Sequence, residues 1–181
     1  MTDYNIEVKL LAITPDSADL TEQAGRLQAR IKQGHESLIE HASATFYVKA
    51  SRALTHELVR HRIAAYSQRS QRYVKETEAE FITPPELAGN EGAITIYQEA
   101  MEAAWTAYKK LLHSGIKAEI ARYVLPNACT TEIICTWNFR EIRHIIKLRS
   151  GPAALPEMRA VANAIKVIMK NQAPKVFGDL E

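Results

Sequence analysis

The sequence predicts a single α+β domain over residues 1–181, with more helix than strand. A length of 181 residues is typical of one domain, and 46% hydrophobic residues are enough to bury a core. Several short segments alternate polar and apolar residues as strands do, whereas longer segments repeat apolar residues with the period of a helix. The chain contains no repeats, low-complexity tracts or linkers.

The first fifty residues predict two strands separated by a helix. Residues 6–11 alternate before they turn apolar, which indicates a strand. Asp16 is a suitable N-cap for the helix that follows, and Gly34 is a suitable residue to end it. One face of that helix carries Leu20, Ala24, Leu27 and Ile31. A short helical turn over 37–41 then leads into a half-buried strand over 44–50.

The middle of the chain predicts two helices joined by polar segments. Residues 52–62 contain good helix formers and no Gly or Pro, and residues 93–113 form a long helix. Between them the polar run 67–72 is typical of a loop, and residues 73–74 resume a strand. Pro and Gly residues within 84–90 mark a surface connection.

The last third predicts one strand among helices. Residues 130–137 are rich in β-branched and aromatic residues, which favours a strand. The predicted helical segments are 117–122, which stops before Leu125-Pro126, then 139–148, which stops before Gly151-Pro152, and finally 156–170.

The composition excludes several classes of protein. The 23 Lys and Arg residues nearly balance 21 Asp and Glu residues, which argues against a DNA-coating protein or a polybasic membrane anchor. No apolar stretch is long enough to span a membrane, and residues 1–7 lack the apolar region of a signal peptide. Cys129 and Cys135 are too few for a disulfide scaffold. We therefore expect a cytoplasmic protein with reduced thiols.

A strongly basic segment, residues 49–75, is the first indication of function. It holds seven Lys and Arg residues against one acid, Glu57. Guanidinium groups bind phosphate oxygens in a bidentate way, and the chain has neither a P-loop nor a dinucleotide-binding glycine motif. Arginines and hydroxyls would therefore have to hold a nucleotide. A solvated basic loop and a nucleic-acid-binding module are the alternatives.

The histidines and cysteines form no metal-ligand or nucleophile pattern. His56 and His61 are five residues apart, about 140° around a helix, whereas a zinc-protease helix needs a spacing of four. His35 and His41, with their neighbouring glutamates, also lack helical ligand spacing. The two cysteines have no basic neighbour in sequence that would favour a thiolate. We predict no metal site and no cysteine nucleophile.

A motif inside the basic segment resembles the signature of a known enzyme family. Arg60-His61-Arg62, then seven residues, then Ser70 is similar to the R-H-R-x7-S signature of the flavin-dependent thymidylate synthases (ThyX). Further blocks in the order of that family are Gly34 to Phe46, Ser51 to His56, Ala121 to Pro126, Thr136 to Arg140, and Leu148-Arg149.

The resemblance implies a fold, an assembly and a reaction. Members of this family are α+β homotetramers, with helices packed on a small antiparallel-rich sheet and each active site shared between subunits around FAD. The implied reaction is the reductive methylation of dUMP to dTMP. Methylenetetrahydrofolate is the carbon donor and NADPH reduces the FAD. No nucleic-acid or membrane partner is expected.

The resemblance also implies the site residues. Those carried over to FAD are Ser37, Arg60, His61, Arg62, Gln68, Asn138, Arg140 and His144. Those carried over to the nucleotide are Glu57, Leu58, Val59, Arg60, Gln68, Arg69, Ser70, Gln71, Arg72, Arg122 and Arg149. Arg149 matches the arginine credited with activating the pyrimidine at N3, so it is the implied catalytic residue.

Departures from the family pattern leave the exact nucleotide open. Glu57 stands where glutamine is usual, and His144 stands where asparagine is common. The loop after the first strand is shortened at 25–28, and residues 150–157 replace a His-Ala-Gln-Trp-Glu run. A related enzyme that modifies C5 of another pyrimidine nucleotide is therefore the alternative.

Overall fold

Four antiparallel strands form one sheet in the structure. The computed structural model describes residues 4–15, 29–31, 33–76, 78 and 80–180. The sheet has the order β1-β2-β4-β3, with β1 at Glu7–Thr14, β2 at Ser43–Ser51, β3 at Ala64–Gln68 and β4 at Thr130–Asn138. Every neighbouring pair is antiparallel, so β1 and β3 are the edge strands.

One face of the sheet is buried because the strands alternate. In β2 the residues Ala44, Phe46, Val48 and Ala50 are buried, and the residues between them are partly exposed. Ile133, Cys135 and Trp137 of β4 join the same core. The rings of Phe46 and Trp137 lie 5.8 Å apart across the β2–β4 pair.

The sheet packs against the helices at Arg52–Leu58, Phe139–Arg149 and Pro156–Gln172. Apart from residues 29–31, which are helical, the helices of the described residues are α1 (Arg52–Leu58), α2 (Glu91–His113), α3 (Ala118–Ala121), α4 (Phe139–Arg149), α5 (Pro156–Gln172) and α6 (Pro174–Phe177). Short 3₁₀ turns lie at Glu36–His41, Pro85–Leu87 and Arg122–Val124. Core side chains of α4 and α5 are Phe139, Ile142, Ile145, Ile146, Met158, Val161, Ile165 and Met169. None of these described helices is long and apolar enough to cross a membrane.

A buried carboxyl group fixes the start of α1. The Ser51 hydroxyl caps α1 by accepting the N–H of Leu54. The Glu157 carboxyl group in turn accepts the Ser51 backbone N–H at 2.7 Å and its hydroxyl at 2.5 Å. Burial raises the pKa of Glu157, and the hydrogen bonds from Ser51 oppose that rise. This anchor positions α1 and the turn after it, which carry the functional residues described below.

The α+β class is confirmed, and the strands predicted at 6–11, 44–50 and 130–137 correspond to β1, β2 and β4. The helix predicted over 52–62 is wrong beyond Leu58. Past that residue the N–H groups of Arg60 and His61 bond three residues back, in a tight turn.

The strand boundaries after this turn are also corrected. Residues 64–68 form β3, although a loop was predicted from 67, and residues 71–74 form a turn and bend rather than a strand. β3 exists because it pairs with β4 about seventy residues later, which a local pattern does not show.

Most of the helix predicted between Asp16 and Gly34 lies outside the described residues. Residues 29–31 are helical. Gly34 has a φ of +89°, and the N–H of His35 bonds the carbonyl of Arg30 at 2.9 Å. Glycine adopts this left-handed conformation without strain, so the predicted helix end at Gly34 is confirmed.

Candidate functional site

Four ionisable side chains meet where α1, the turn after it and α4 come together. Glu57 lies in the last turn of α1, His61 in the turn after it, Glu141 in the first turn of α4, and Arg149 at its end. Arg149 Nε donates to His61 Nε2 at 3.1 Å, and His61 Nδ1 lies 2.8 Å from Glu141 Oε1. Arg149 Nη1 pairs with Glu57 Oε1. These four residues are called the arginine cluster below.

The hydrogen bonds of the arginine cluster define the protonation of His61. A guanidinium N–H can only donate, so His61 Nε2 must accept, and the ring proton lies on Nδ1 facing Glu141. Burial lowers the pKa of His61, the Glu141 carboxylate raises it, and the Arg149 charge lowers it again. The net shift is downward, so the cluster holds a neutral imidazole at neutral pH.

The Arg149 guanidinium is held in place but is not covered. Its contacts with His61 and Glu57 use Nε and Nη1 and leave Nη2 unused. The side chain is 19% exposed. A cation fixed in this way can face a ligand without a large reorganisation.

A cleft of about 480 Å³ opens beside the arginine cluster. It is lined by Glu36, Glu40, Ile63, Asn138, Arg140, Glu141 and His144. The Asn138 side-chain oxygen caps α4 by accepting the N–H of Glu141 at 2.8 Å, which leaves its amide N–H groups for a ligand. Arg140 pairs with Glu40 at the exposed rim.

Donors in the turn before Ile63 and in the cleft itself have the chemistry to hold a flavin nucleotide. The side chains of Arg60 and Arg62 are exposed, and the hydrogen bonds and ion pairs of the described residues use neither guanidinium. Free guanidinium groups bind phosphate oxygens. Asn138 and His144 add polar side chains that suit the edge of a flat heterocycle.

Much of the basic segment 49–75 is already paired with carboxylates. Three of its cations form ion pairs with glutamates outside the segment: Lys49 with Glu80, Arg69 with Glu76 and Glu132, and Arg72 with Glu119. Arg52 is partly buried and donates to the backbone carbonyl of Arg69 at 2.9 Å. The segment therefore offers less free positive charge than its sequence indicates, which counts against a nucleic-acid-binding module.

The structure brings some predicted nucleotide contacts together and separates others. Glu57 and Arg149 meet in the arginine cluster. Gln68 instead lies at the end of β3, where its amide donates to Thr55 and Thr131 at 3.2 and 3.3 Å. Arg72 points to Glu119 at 3.1 Å. No contact between described residues joins Gln68 or Arg72 directly to the arginine cluster.

The remaining predicted nucleotide contacts differ in exposure. Val59 is 39% exposed, whereas Leu58 is fully buried, so a contact between Leu58 and a nucleotide would have to use its backbone. Gln71 is 5% exposed, and its Nε2 has no hydrogen-bond partner in the described chain. Ser70 Oγ accepts the N–H of Arg72 at 3.2 Å, and Arg122 begins a 3₁₀ turn. An unpaired buried amide costs about 1–3 kcal/mol, which makes Gln71 a suitable donor to a ligand.

Sequence reasoning missed Glu141. Asn138 and Glu141 have the spacing of a helix capping box, in which the glutamate bonds back to the N-cap. The structure keeps the cap at Asn138 but directs the Glu141 carboxylate to His61. The spacing therefore marked the start of α4 but not the function of this carboxylate.

His61, Glu141 and His144 place their ligand atoms within 4.8 Å of one another, as a metal site would. The spacing of histidines within one helix could not test this combination, because His61 and His144 lie on different segments. Both ring nitrogens of His61 are engaged, and the Arg149 charge beside them disfavours a cation. The geometry suits a hydrogen-bonded chain better than a metal centre.

Both cysteines are buried and free, as expected of packing residues. Burial raises the pKa of Cys129 to about 11 and that of Cys135 to about 12. Thiols with such pKa values are protonated at neutral pH and are poor nucleophiles.

The chain is similar to known proteins over most of its length. Residues 4–175 match the family model described as thymidylate synthase complementing protein. A flavin-dependent thymidylate synthase of Geobacter sulfurreducens is 45% identical over 149 residues, which cover 81% of this chain and 64% of that protein. The enzyme of that name from Clostridium tetani is 37% identical over 212 residues, covering 95% and 85%. That from Mycolicibacterium vanbaalenii is 38% identical over 175 residues, covering 87% and 70%. The chain thus spans slightly less than two thirds of the Geobacter relative.

Proposed function

Because this chain belongs to the thymidylate synthase complementing protein family, that of the flavin-dependent thymidylate synthases, we propose that it methylates dUMP to dTMP. Methylenetetrahydrofolate gives the carbon and leaves as tetrahydrofolate, and the C5 hydrogen of uracil leaves as a proton. The chemistry that bound FAD supplies is delivery of the hydride that completes the methyl group, after reduction by NADPH. No protein nucleophile takes part, in keeping with two protonated cysteines.

The observation that carries this proposal is the fixed, partly exposed guanidinium of Arg149, which His61 connects to Glu141 in the wall of the cleft. C5 of uracil is a poor nucleophile until negative charge on the ring is stabilised. A positioned cation near N3 and its neighbouring oxygens stabilises that charge as it develops. His61 and Glu57 bind Arg149 at two nitrogens, so its guanidinium is already oriented before the substrate binds.

Three of the residues proposed to hold FAD, namely Asn138, Arg140 and His144, line the cleft. Arg60 and Arg62 suit its diphosphate because their guanidinium groups are exposed and unused by the described contacts. The remaining residues proposed for FAD are Ser37, His61, Gln68, Asn138, Arg140 and His144. Most of them are partly or fully exposed, whereas His61 is buried and acts through Arg149.

We also propose a homotetramer with shared active sites. Within one protomer, Arg72 and Arg122 have no contact with the arginine cluster among the described residues. A nucleotide that contacts both these two arginines and the arginine cluster would therefore lie between subunits. Its phosphate would be near Arg72 and Arg122 of one copy, and its ring near Arg149 of another. Arg72 would exchange Glu119 for the phosphate, since both are oxyanions.

Two measurements on the purified protein test the proposed function. Its visible spectrum should show flavin bands, and it should form dTMP from dUMP only when methylenetetrahydrofolate and NADPH are both present. Omitting each reactant in turn supplies the controls. A protein that binds no flavin, or a flavin-loaded protein that forms no dTMP, contradicts the proposal.

The ion pair between Glu57 and Arg149 favours a second candidate, C5 modification of another pyrimidine nucleotide. A carboxylate beside the ring-activating arginine accepts a hydrogen bond from any ligand N–H that reaches it, so it selects among pyrimidines by their donors. Comparing turnover of dUMP with that of dCMP, and repeating both with Glu57→Gln, separates the two candidates. Preference for dCMP would favour the second.

A further inference from the structure

We propose that Glu141 is a positioning residue, which orients Arg149 by fixing the tautomer of His61. This inference rests on the proposed function only in assigning Arg149 to ring activation. The three groups form a chain from the Glu141 carboxylate through the imidazole to the guanidinium Nε, with heavy-atom distances of 2.8 and 3.1 Å. Glu141 reaches the reaction through two other residues.

The hydrogen-bonded chain of Glu141, His61 and Arg149 requires one proton arrangement. A neutral imidazole carries its proton on Nδ1 or on Nε2. With the proton on Nδ1, His61 donates to Glu141 and accepts from Arg149, so both contacts are hydrogen bonds. With the proton on Nε2, two N–H donors would face each other at Arg149, and a carboxylate would face the lone pair of Nδ1. A carboxylate is an acceptor only, so Glu141 enforces the first arrangement.

Burial and neighbouring contacts allow Glu141 to determine the tautomer of His61. His61 and Glu141 are 4% and 7% exposed, so water does not readily replace either partner. Asn138 caps the helix turn that carries Glu141, which fixes the carboxylate relative to His61. Glu57 holds Arg149 at a second nitrogen, Nη1. His144, the other titratable group whose charge acts on His61, has its ring centre 5.6 Å from that of His61.

The first test reads the tautomer directly and needs neither a variant nor turnover. Nitrogen NMR of the ¹⁵N-histidine-labelled protein distinguishes a protonated from an unprotonated ring nitrogen. We expect His61 to show a protonated Nδ1 and an unprotonated Nε2. A His61 signal with the proton on Nε2, or a doubly protonated ring at neutral pH, would overturn the proposal.

The second test replaces Glu141 with glutamine, which is similar in shape but can donate as well as accept. His61 should then populate the Nε2–H tautomer, and kcat per bound flavin should fall about 10- to 100-fold, by analogy with the loss seen when the outer partner of a metal-bound histidine is removed. Glu102→Gln, an exposed glutamate on α2, is the matched control and should leave kcat unchanged.

A double-mutant cycle distinguishes positioning from a general loss of structure. If Glu141 acts through Arg149, Glu141→Gln should lower kcat in the parent protein but not further in an Arg149→Ala background. Equal losses in both backgrounds, or unchanged kcat in Glu141→Gln, would refute the positioning role while dTMP formation by the parent still supports the proposed function. Conversely, a flavin-loaded parent without dTMP formation refutes the function, and the tautomer measurement still decides the role of Glu141.

Discussion

Replacing Arg149 with alanine tests the central step of the proposed reaction. The guanidinium acts mainly on charge that develops in the ring, so its loss should lower kcat more than it weakens dUMP binding. One such electrostatic donor is worth about 10²–10³ in rate, or roughly 2.7–4 kcal/mol of barrier. Arg149→Lys keeps the charge but loses the planar fork that contacts His61 and Glu57, so it should restore only part of the rate.

If Arg149 only stabilised the fold, its removal would have a different and smaller effect. Arg149 ends α4, where a cation is favoured by about 0.3–1 kcal/mol. Its pair with Glu57 joins partly exposed side chains and is worth at most about 1 kcal/mol. A structural role would therefore lower the melting temperature by a few degrees and leave kcat per bound flavin near normal.

Three measurements on Arg149→Ala separate these outcomes. They are kcat from dTMP formation per bound flavin, the dUMP dissociation constant from titration, and the melting temperature. Lys147→Ala is the matched control, because Lys147 is an exposed cation in the same last turn and pairs with Glu36. An unchanged kcat together with a lowered melting temperature in Arg149→Ala would refute the role in ring activation.

Three further predictions concern the thiols, the assembly and a buried acid. The double variant Cys129→Ala, Cys135→Ala should retain most of the turnover per folded protein, because both thiols are protonated. Complete loss of turnover in a folded, flavin-loaded double variant would contradict this. FAD and dUMP should each raise the melting temperature of a tetramer seen by light scattering, since ligands that bind only the folded state stabilise it; a monomer without such a shift would not fit. The folded state holds the Glu157 proton more tightly than the unfolded chain, so the free energy of unfolding should fall as pH rises through the raised pKa. Between pH 4.5 and 7.5, the free energy of unfolding in urea should fall less in Glu157→Gln than in the parent protein. Equal falls in the two proteins would rule the explanation out.

Local patterns were sufficient for most of the fold. Alternation in 44–50 and 130–137 identified the two central strands, because a sheet with one buried face needs an apolar residue at every second position. Gly34 marked a helix end because few other residues tolerate its positive φ. The edge strand β3 was missed because its hydrogen bonds come from β4, far away in sequence.

Local patterns were less informative about the site. The count of seven cations in 49–75 overstated the free charge, since glutamates elsewhere in the chain pair with several of them. The histidine spacing within one helix said nothing about His144, which approaches His61 from α4. The assignments carried over to FAD and the nucleotide remain predictions until ligands are measured.

The sequence by itself determined the α+β class, the central strands, and the family through its ordered motifs. These properties depend on residue type and short spacing, which the chain carries before it folds. Only the tertiary structure decided that Glu141 faces His61, that Arg149 is held at two of its nitrogens, and that Leu58 is buried. The contacts of Glu141 and Arg149 join residues 80 to 92 positions apart, and packing of α4 against the turn after α1 sets them. Sequence periodicity shows which face of an element is apolar, but not which polar groups of two elements will meet.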